Sequence, residues 1–155
     1  MSRWAVIGVG SNIGDRRANI ARALALLAGT EGVAVLRTAS IIETTPVDFL
    51  AQPNFLNTLV LVDTDKSPEA LLACLHGIED NLGRKRNIPK GPRTMDLDII
   101  LYDNLVVAGN ELTIPHKERI NRAFVLEQLA ELVPDMKDPE TGRKYKDMAK
   151  DKISL

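Results

Sequence analysis

Two strand-like runs stand next to each other in this chain with no helix between them, and that adjacency limits the sheets it can build. Val33–Glu43 carries β-branched weight at Val33, Val35, Ile41 and Ile42. Asn54–Asp63 (NFLNTLVLVD) is the next strand, after a loop over residues 44–53 that contains Pro46 and Pro53. Ahead of this pair, Trp4–Val9 is apolar throughout and reads as a central strand. GSNIGD then turns the chain into a helix of about 15 residues, where Ile20, Leu24 and Leu27 recur at helical spacing. Gly29 and Gly32 end it. After the pair, Ser67 as N-cap and Pro68 at the first helical position open a second helix. Its apolar face is Leu71, Leu72, Leu75, Ile78 and Leu82, and it stops at Gly83. Thr94–Tyr102 is a fourth long strand.

The order β-α-β-β-α-β predicts an α+β protein with a ferredoxin-like antiparallel sheet and both helices on one face. A C-terminal α/β extension follows, with short strands at Leu105–Val107 and Leu112–Ile114 and an amphipathic helix over 122–132. The polar tail after Pro134 receives no element. The sheet's second face is then only partly covered, which leaves room for a site.

With 155 residues, the chain fits a single domain, 1–155. A net charge of −1 gives no global basic field for nucleic acid or an anionic membrane, so anion binding has to be local. Cys74 is the lone cysteine, which excludes an internal disulfide and points to a reducing, cytoplasmic setting. The start has too short an apolar run for a signal peptide, and no stretch approaches the ~20 apolar residues of a membrane span. Small molecules are the expected partners, with the chain a monomer or a weak dimer.

Asp96-Leu97-Asp98, inside TMDLDIILY, is the sharpest chemical signal. On a strand, residues i and i+2 share a face, so the two carboxylates stand roughly 6–7 Å apart at the backbone. Met95, Leu97, Ile99 and Leu101 take the other face. Aspartate is disfavoured in strands, and two adjacent charges repel without a cation. Hard oxygen donors in this arrangement suit Mg²⁺ and can bridge a metal pair. Just before them, GRKRNIPKGPR packs Arg84, Lys85, Arg86, Lys90 and Arg93 into eleven residues, 83–93. Its glycines and prolines make it an irregular loop, expected to close as a lid over bound polyphosphate. Each of these cations could instead belong to a solvated charge run, a weaker reading for Arg93, fixed three residues before Asp96.

Other patterns carry less. Gly8, Gly10 and Gly14 imitate a dinucleotide fingerprint, but the third glycine is one position late. No P-loop motif is present, and His76, His116 and one cysteine give no zinc pattern. Phe55 and Asn57 share one face of the third strand, an aromatic plate beside a carboxamide that suits a flat, hydrogen-bonding heterocycle, although Phe55 taken alone reads more readily as core. In TIPHKERINRAFVL, His116, Arg119, Arg122 and Phe124 fall in a turn before the last helix.

Together GSNIGD, ETTPV, NFLN, GIEDNLGRKR, GPRTMDLDIILY and IPH followed by NRAFVLEQLAELVPD resemble the 6-hydroxymethyl-7,8-dihydropterin pyrophosphokinase family of folate synthesis, over roughly residues 5–135. The resemblance implies that the pterin hydroxymethyl oxygen attacks the β-phosphorus of ATP and releases AMP. It implies two Mg²⁺ on Asp96 and Asp98, with ATP as co-substrate and Arg84 and Arg93 completing the catalytic set. Glu79, Arg84, Arg93, Ile99, Leu112, His116 and Arg122 correspond to nucleotide-contacting positions. Phe55 and Phe124 look like plates around the pterin, with Asn57 and the backbone of Thr44, Thr45, Pro46 and Val47 reading its edge. The chain departs from the family at Pro89-Lys90, where many members have Arg-Trp in a loop one residue longer, and at Lys117. The competing reading, a non-catalytic ferredoxin-like module binding nucleotide or RNA, calls for aromatics on central strands and a basic surface. This chain has three Phe, two Tyr and one Trp, and puts aspartates on a central strand.

Overall fold

The computed structural model describes residues 2–45, 52–83 and 95–153. The elements run β1 (Arg3–Ser11), α1 (Arg16–Ala28), β2 (Val33–Thr38), β3 (Ile42–Thr44), β4 (Phe55–Thr64), α2 (Pro68–Asn81) and β5 (Asp96–Tyr102). After these come β6 (Val107–Ala108), β7 (Thr113–Ile114), α3 (Ala123–Leu132) and α4 (Tyr145–Ile153). The main sheet has the order β2-β4-β1-β5, with β3 also pairing with β4, and every pairing is antiparallel. β6 and β7 form a separate two-stranded ribbon. No helix among the described residues is long and apolar enough to cross a membrane.

Local signals explain the helix starts. The Asp15 carboxylate accepts the Ala18 N–H at 3.1 Å, and the Ser67 hydroxyl accepts the Ala70 N–H at 3.1 Å with Pro68 in the first turn. Each satisfies a backbone donor that has no partner inside its own helix.

Two apolar clusters sandwich the sheet. Ala5, Ile7 and Val9 of β1 point to the cluster that α1 and α2 cover, with Ile20, Leu27, Leu71 and Leu75. Val6, Leu59 and Leu61 point to a second cluster built with α3 and α4, including Leu126, Leu129, Leu132 and Tyr145. The polar tail that received no element is therefore structural: α4 closes over α3 and buries Tyr145, Met148 and Ala149. Its charged residues hide a short apolar stripe that periodicity over nine residues does not expose.

Two further expectations are corrected. The strand expected over 33–43 is two strands, β2 ending at Thr38 and β3 starting at Ile42, and within β2 the register shifts between Val35 and Arg37, with Leu36 54% exposed. Leu101 does not share a face with Leu97 and Ile99. The β1–β5 register steps from Val6↔Leu101 to Ile7↔Ile99, so Ile100 is a bulged extra residue. Ile100 and Leu101 both join the α3 cluster, while Met95, Leu97, Ile99 and Tyr102 face α1 and α2.

Because the clusters lie on opposite faces, each should be separately necessary. Leu75→Ala and Leu129→Ala, both at fully buried positions, are expected to destabilise the protein by roughly 2–5 kcal/mol each in urea unfolding. With no shared cavity, the two losses should add to within about 0.5 kcal/mol in the double variant.

Candidate active site

The sheet face under α3 holds a pocket, and its shape follows from β1. Gly10 pairs with Asp96 on one side and Asn57 on the other; Gly8 pairs with Asp98 and Leu59. A Cβ on Gly10 would lie 2.8 Å from the Asn57 Oδ1, and one on Gly8 would lie 3.1 Å from the Ile100 Cδ1. The absent side chains thus leave a cleft lined by Asp96, Asp98, Asn57, His116, Arg122 and Phe124, with Gly8, Gly10, Arg119 and Gln128 also in its wall.

Several of these polar groups are held in place by neighbouring elements. Asp96 and Asp98 are half-buried on one face of β5. Between them, the Leu97 N–H donates to the Glu79 Oε2 at 2.8 Å, so α2 fixes the strand segment that carries both carboxylates. Asn57 Nδ2 donates to the Thr44 hydroxyl at 2.6 Å. His116 N–H donates to the Ile100 carbonyl at 2.9 Å, and its Nδ1 accepts the Glu118 N–H at 3.1 Å. That contact leaves the proton of the neutral ring on Nε2, as a donor. Arg122 stands at the N-cap of α3 without a side-chain capping bond.

The loops on either side are tied down as well. Buried Asn12 donates from Nδ2 to the Gln52 Oε1 at 2.7 Å and to the Pro53 carbonyl at 3.0 Å. Buried Asn19 donates to the Ser11 hydroxyl at 3.2 Å and the Ile13 carbonyl at 2.9 Å. GSN therefore fastens the entrance of β4 to the end of β1, a role beyond the turn read from the sequence.

Arg119 is 2% exposed and anchors the wall to the C-terminal segment. Its Nε and Nη2 reach the two Asp138 oxygens at 2.6 and 2.8 Å, and its Nη1 donates to the His116 carbonyl at 3.0 Å. The Tyr145 hydroxyl donates to Asp138 at 2.7 Å. Burial alone would raise the Asp138 pKa. Hydrogen bonds from Arg119, Tyr145 and the Thr141 backbone outweigh it and bring the pKa down to about 2. Tyr145 moves the other way, its pKa raised by burial and by Asp138.

Of the residues singled out in the sequence, Asp96, Asp98, Asn57, His116, Arg122 and Phe124 meet in this pocket. Phe55 lies on the face of β4 that Asn57 uses, opposite Thr44, but does not line the pocket; Thr45 is exposed just past β3. Ile99 and Leu112 pack in the α1–α2 cluster with Glu79 nearby on α2, on the other side of β5. Arg84, Arg93, the lid expected around them, Pro46 and Val47 lie outside the described residues. Gly8, Gly10, Arg119, Gln128 and Asp138 were missed as site residues. Glycines at i and i+2 in a central strand are a signal of close backbone approach, and Gln128 interrupts the apolar stripe of α3.

Two carboxylates, an imidazole N–H and a guanidinium lining one cleft beside an aromatic ring are the equipment of a transferase that handles a phosphorylated substrate. Comparison with known proteins names the family. Residues 6–134 match the model of 7,8-dihydro-6-hydroxymethylpterin-pyrophosphokinase (HPPK), and the chain belongs to that family. It is 40% identical over 142 residues to the 2-amino-4-hydroxy-6-hydroxymethyldihydropteridine pyrophosphokinase of Bacillus subtilis, covering 92% of this chain and 85% of that one. It is 41% identical to the Methylorubrum extorquens protein of that name, covering 85% of this chain and 84% of its relative. Folic acid synthesis protein fol1 of Schizosaccharomyces pombe is 42% identical over 140 residues, of which this chain spans only 19% of the length. In fold, the chain resembles Plasmodium falciparum HPPK-DHPS with pteroate, at a TM-score of 0.80, 14% identity, and 99% coverage of this chain against 43% of that one.

Among the described residues no group of three or more His, Cys, Asp or Glu could hold a metal ion by itself. The Asp96–Asp98 pair fits Mg²⁺ nonetheless, since that ion is usually held by one or two carboxylates with water and substrate phosphate filling its shell.

The Asp138 cluster has a pH signature. A carboxylate whose pKa falls on folding stabilises the protein above its unfolded value, here 3.8, and the benefit is lost as pH drops towards 2. Unfolding free energy should fall by roughly 2 kcal/mol from this group between pH 5 and pH 2. Asp138→Asn should be less stable at pH 7 and show a flatter acid slope in urea titrations. An unchanged slope would mean that Asp138 does not carry it.

Proposed function

We propose that the cleft over Gly8 and Gly10 is where this chain, a pyrophosphokinase by family, moves the pyrophosphoryl group of ATP to the hydroxymethyl group of 6-hydroxymethyl-7,8-dihydropterin. The observation that carries this reading is the convergence of Asp96, Asp98, His116, Arg122, Asn57 and Phe124 on one pocket in a chain of this family. The hydroxymethyl oxygen forms a bond to the β-phosphorus and gives its proton up to solvent, the bond from the β-phosphorus to the oxygen bridging it to the α-phosphorus breaks, and AMP leaves with the electron pair. Products are AMP and the pterin diphosphate, an intermediate of folate synthesis.

Asp96 and Asp98 would hold the Mg²⁺, two ions by the family resemblance, and the metal would supply positive charge against the phosphate oxygens. The His116 Nε2–H and the Arg122 guanidinium supply donors to the phosphates from the α3 side, and Arg84 and Arg93, which precede Asp96 in sequence, would supply more. Phe124 gives the pterin a ring to stack on, and Asn57 reads its polar edge beside Thr44 and Thr45. Ile99, Leu112 and Glu79 lie towards the adenine end, across β5. The strand order, with two β-α-β halves joined through adjacent β2–β3 and β4, supports the ferredoxin-like arrangement within one pyrophosphokinase domain. The lone cysteine supports a cytoplasmic setting.

Incubation with ATP, Mg²⁺ and the hydroxymethyl-dihydropterin should yield AMP, and a chelator should abolish turnover. Asp96→Ala and Asp98→Ala should each lower kcat by roughly 10²-fold or more while folding normally. ADP as product, or near-normal turnover in both variants, would overturn the reading.

A further inference from the structure

Gln128 is fully buried on the pocket face of α3, one turn after Phe124. Its amide is oriented without ambiguity. Nε2 donates to the Ser40 carbonyl at 3.0 Å and to the Asn57 carbonyl at 3.0 Å. A flipped amide would set Oε1 against two carbonyl oxygens, acceptor against acceptor, so Oε1 must take the remaining position. Among the described residues, that oxygen is the buried side-chain nitrogen or oxygen left without a hydrogen-bond partner. Leaving such an acceptor unsatisfied is costly, and buried exceptions call for an explanation.

The surroundings point to a ligand. Gln128 lines the same cleft as Phe124 and shares it with Asn57, whose backbone carbonyl it holds. Ser40 is fixed from the same helix, its N–H and hydroxyl bonded to the Glu131 carboxylate at 3.0 Å each. The glutamine is therefore rigid, and it keeps one unpartnered acceptor at a position that lines a pocket beside an aromatic ring. A reduced pterin carries donors around its rim, namely the 2-amino group, N3–H and N8–H. An acceptor fixed in this way discriminates strongly against analogues that lack the matching N–H.

We propose that Gln128 is a specificity-determining residue, its Oε1 accepting a hydrogen bond from an N–H of the bound heterocycle, directly or through one ordered water. The proposal rests on the pterin reading of this pocket and deepens it by adding a second carboxamide to Asn57.

The test pairs protein and ligand changes. Binding of the hydroxymethyl-dihydropterin, of its 2-deamino analogue, of its N3-methyl analogue and of a carbon-for-N8 analogue is measured by calorimetry in wild type and in Gln128→Leu. In wild type at least one analogue should bind roughly fivefold to tenfold more weakly than the parent. In Gln128→Leu that penalty should shrink to less than about twofold, the sign of a direct coupling. A merely structural role weakens every ligand by the same factor and leaves the penalties unchanged, which would overturn the proposal. If Gln128→Leu fails to fold, wild type carrying ¹³Cδ-labelled glutamine decides: the Gln128 resonance should move on adding pterin and stay put with nucleotide alone. No movement with pterin would overturn the proposal. Wild type that binds no pterin at all would instead overturn the function proposed for the pocket.

Discussion

β1 is hydrogen-bonded along both edges, to β4 and to β5, and packed on both faces, so its register fixes the position of nearly everything else. Slipping by one residue would send Ala5, Ile7 and Val9 to the α3 side and reverse both clusters at once. The strand also decides where packing stops. On the α1–α2 face its apolar side chains continue to Val9, but on the α3 face they end at Val6, and Gly8 and Gly10 take the next two positions. The second cluster therefore tapers into a cleft, and the rows Asp96–Gly10–Asn57 and Asp98–Gly8–Leu59 line its base. Both aspartates owe their partial exposure to glycines on the neighbouring strand.

A cleft bounded by a bare strand needs a wall that does not collapse onto it. α3 supplies that wall and is held at both ends by polar groups. Near its start, Arg119 ties the His116 turn to Asp138 and Tyr145, so the segment before α4 helps place the imidazole. Towards its end, Gln128 and Glu131 grip Ser40 and the backbone of Asn57. Buried polar contacts of this kind fix geometry more than they add stability, because each group gives up hydration to make them. Here they keep donors and acceptors aimed across an open space.

Much of this was legible in the sequence because it depends on local periodicity. The four long strands, both early helices, the N-cap at Ser67 and the shared face of Asp96 and Asp98 follow from period-two and period-3.6 patterns and from capping chemistry. Asn57 stood out from the period-two face it shares with Phe55, the roles of His116, Arg122 and Phe124 came from the family resemblance, and the pocket brings the four together. What escaped depends on partners distant in sequence. Arg119 and Asp138 are both charged and look like surface residues until each is seen to bury the other. The bulge at Ile100 comes from the β1–β5 register, which nothing within TMDLDIILY announces. In the sequence Gly8 and Gly10 only imitate a dinucleotide fingerprint; their role lies in the side chains of β4 and β5 that they make room for.

The central claim is that the absent side chain at Gly10 creates the space in which the pterin meets Asp96 and Asn57. Pterin and ATP affinities of Gly10→Ala, measured separately by calorimetry together with its melting temperature, test it most directly. A methyl group there must shift the Asn57 carboxamide, whose Nδ2 is bonded to Thr44, since the added carbon would lie 2.8 Å from the Asn57 Oδ1. The account predicts a folded protein whose pterin affinity falls by about tenfold or more, with ATP affinity changed by less than about twofold. Unchanged pterin affinity in a folded Gly10→Ala protein would contradict it.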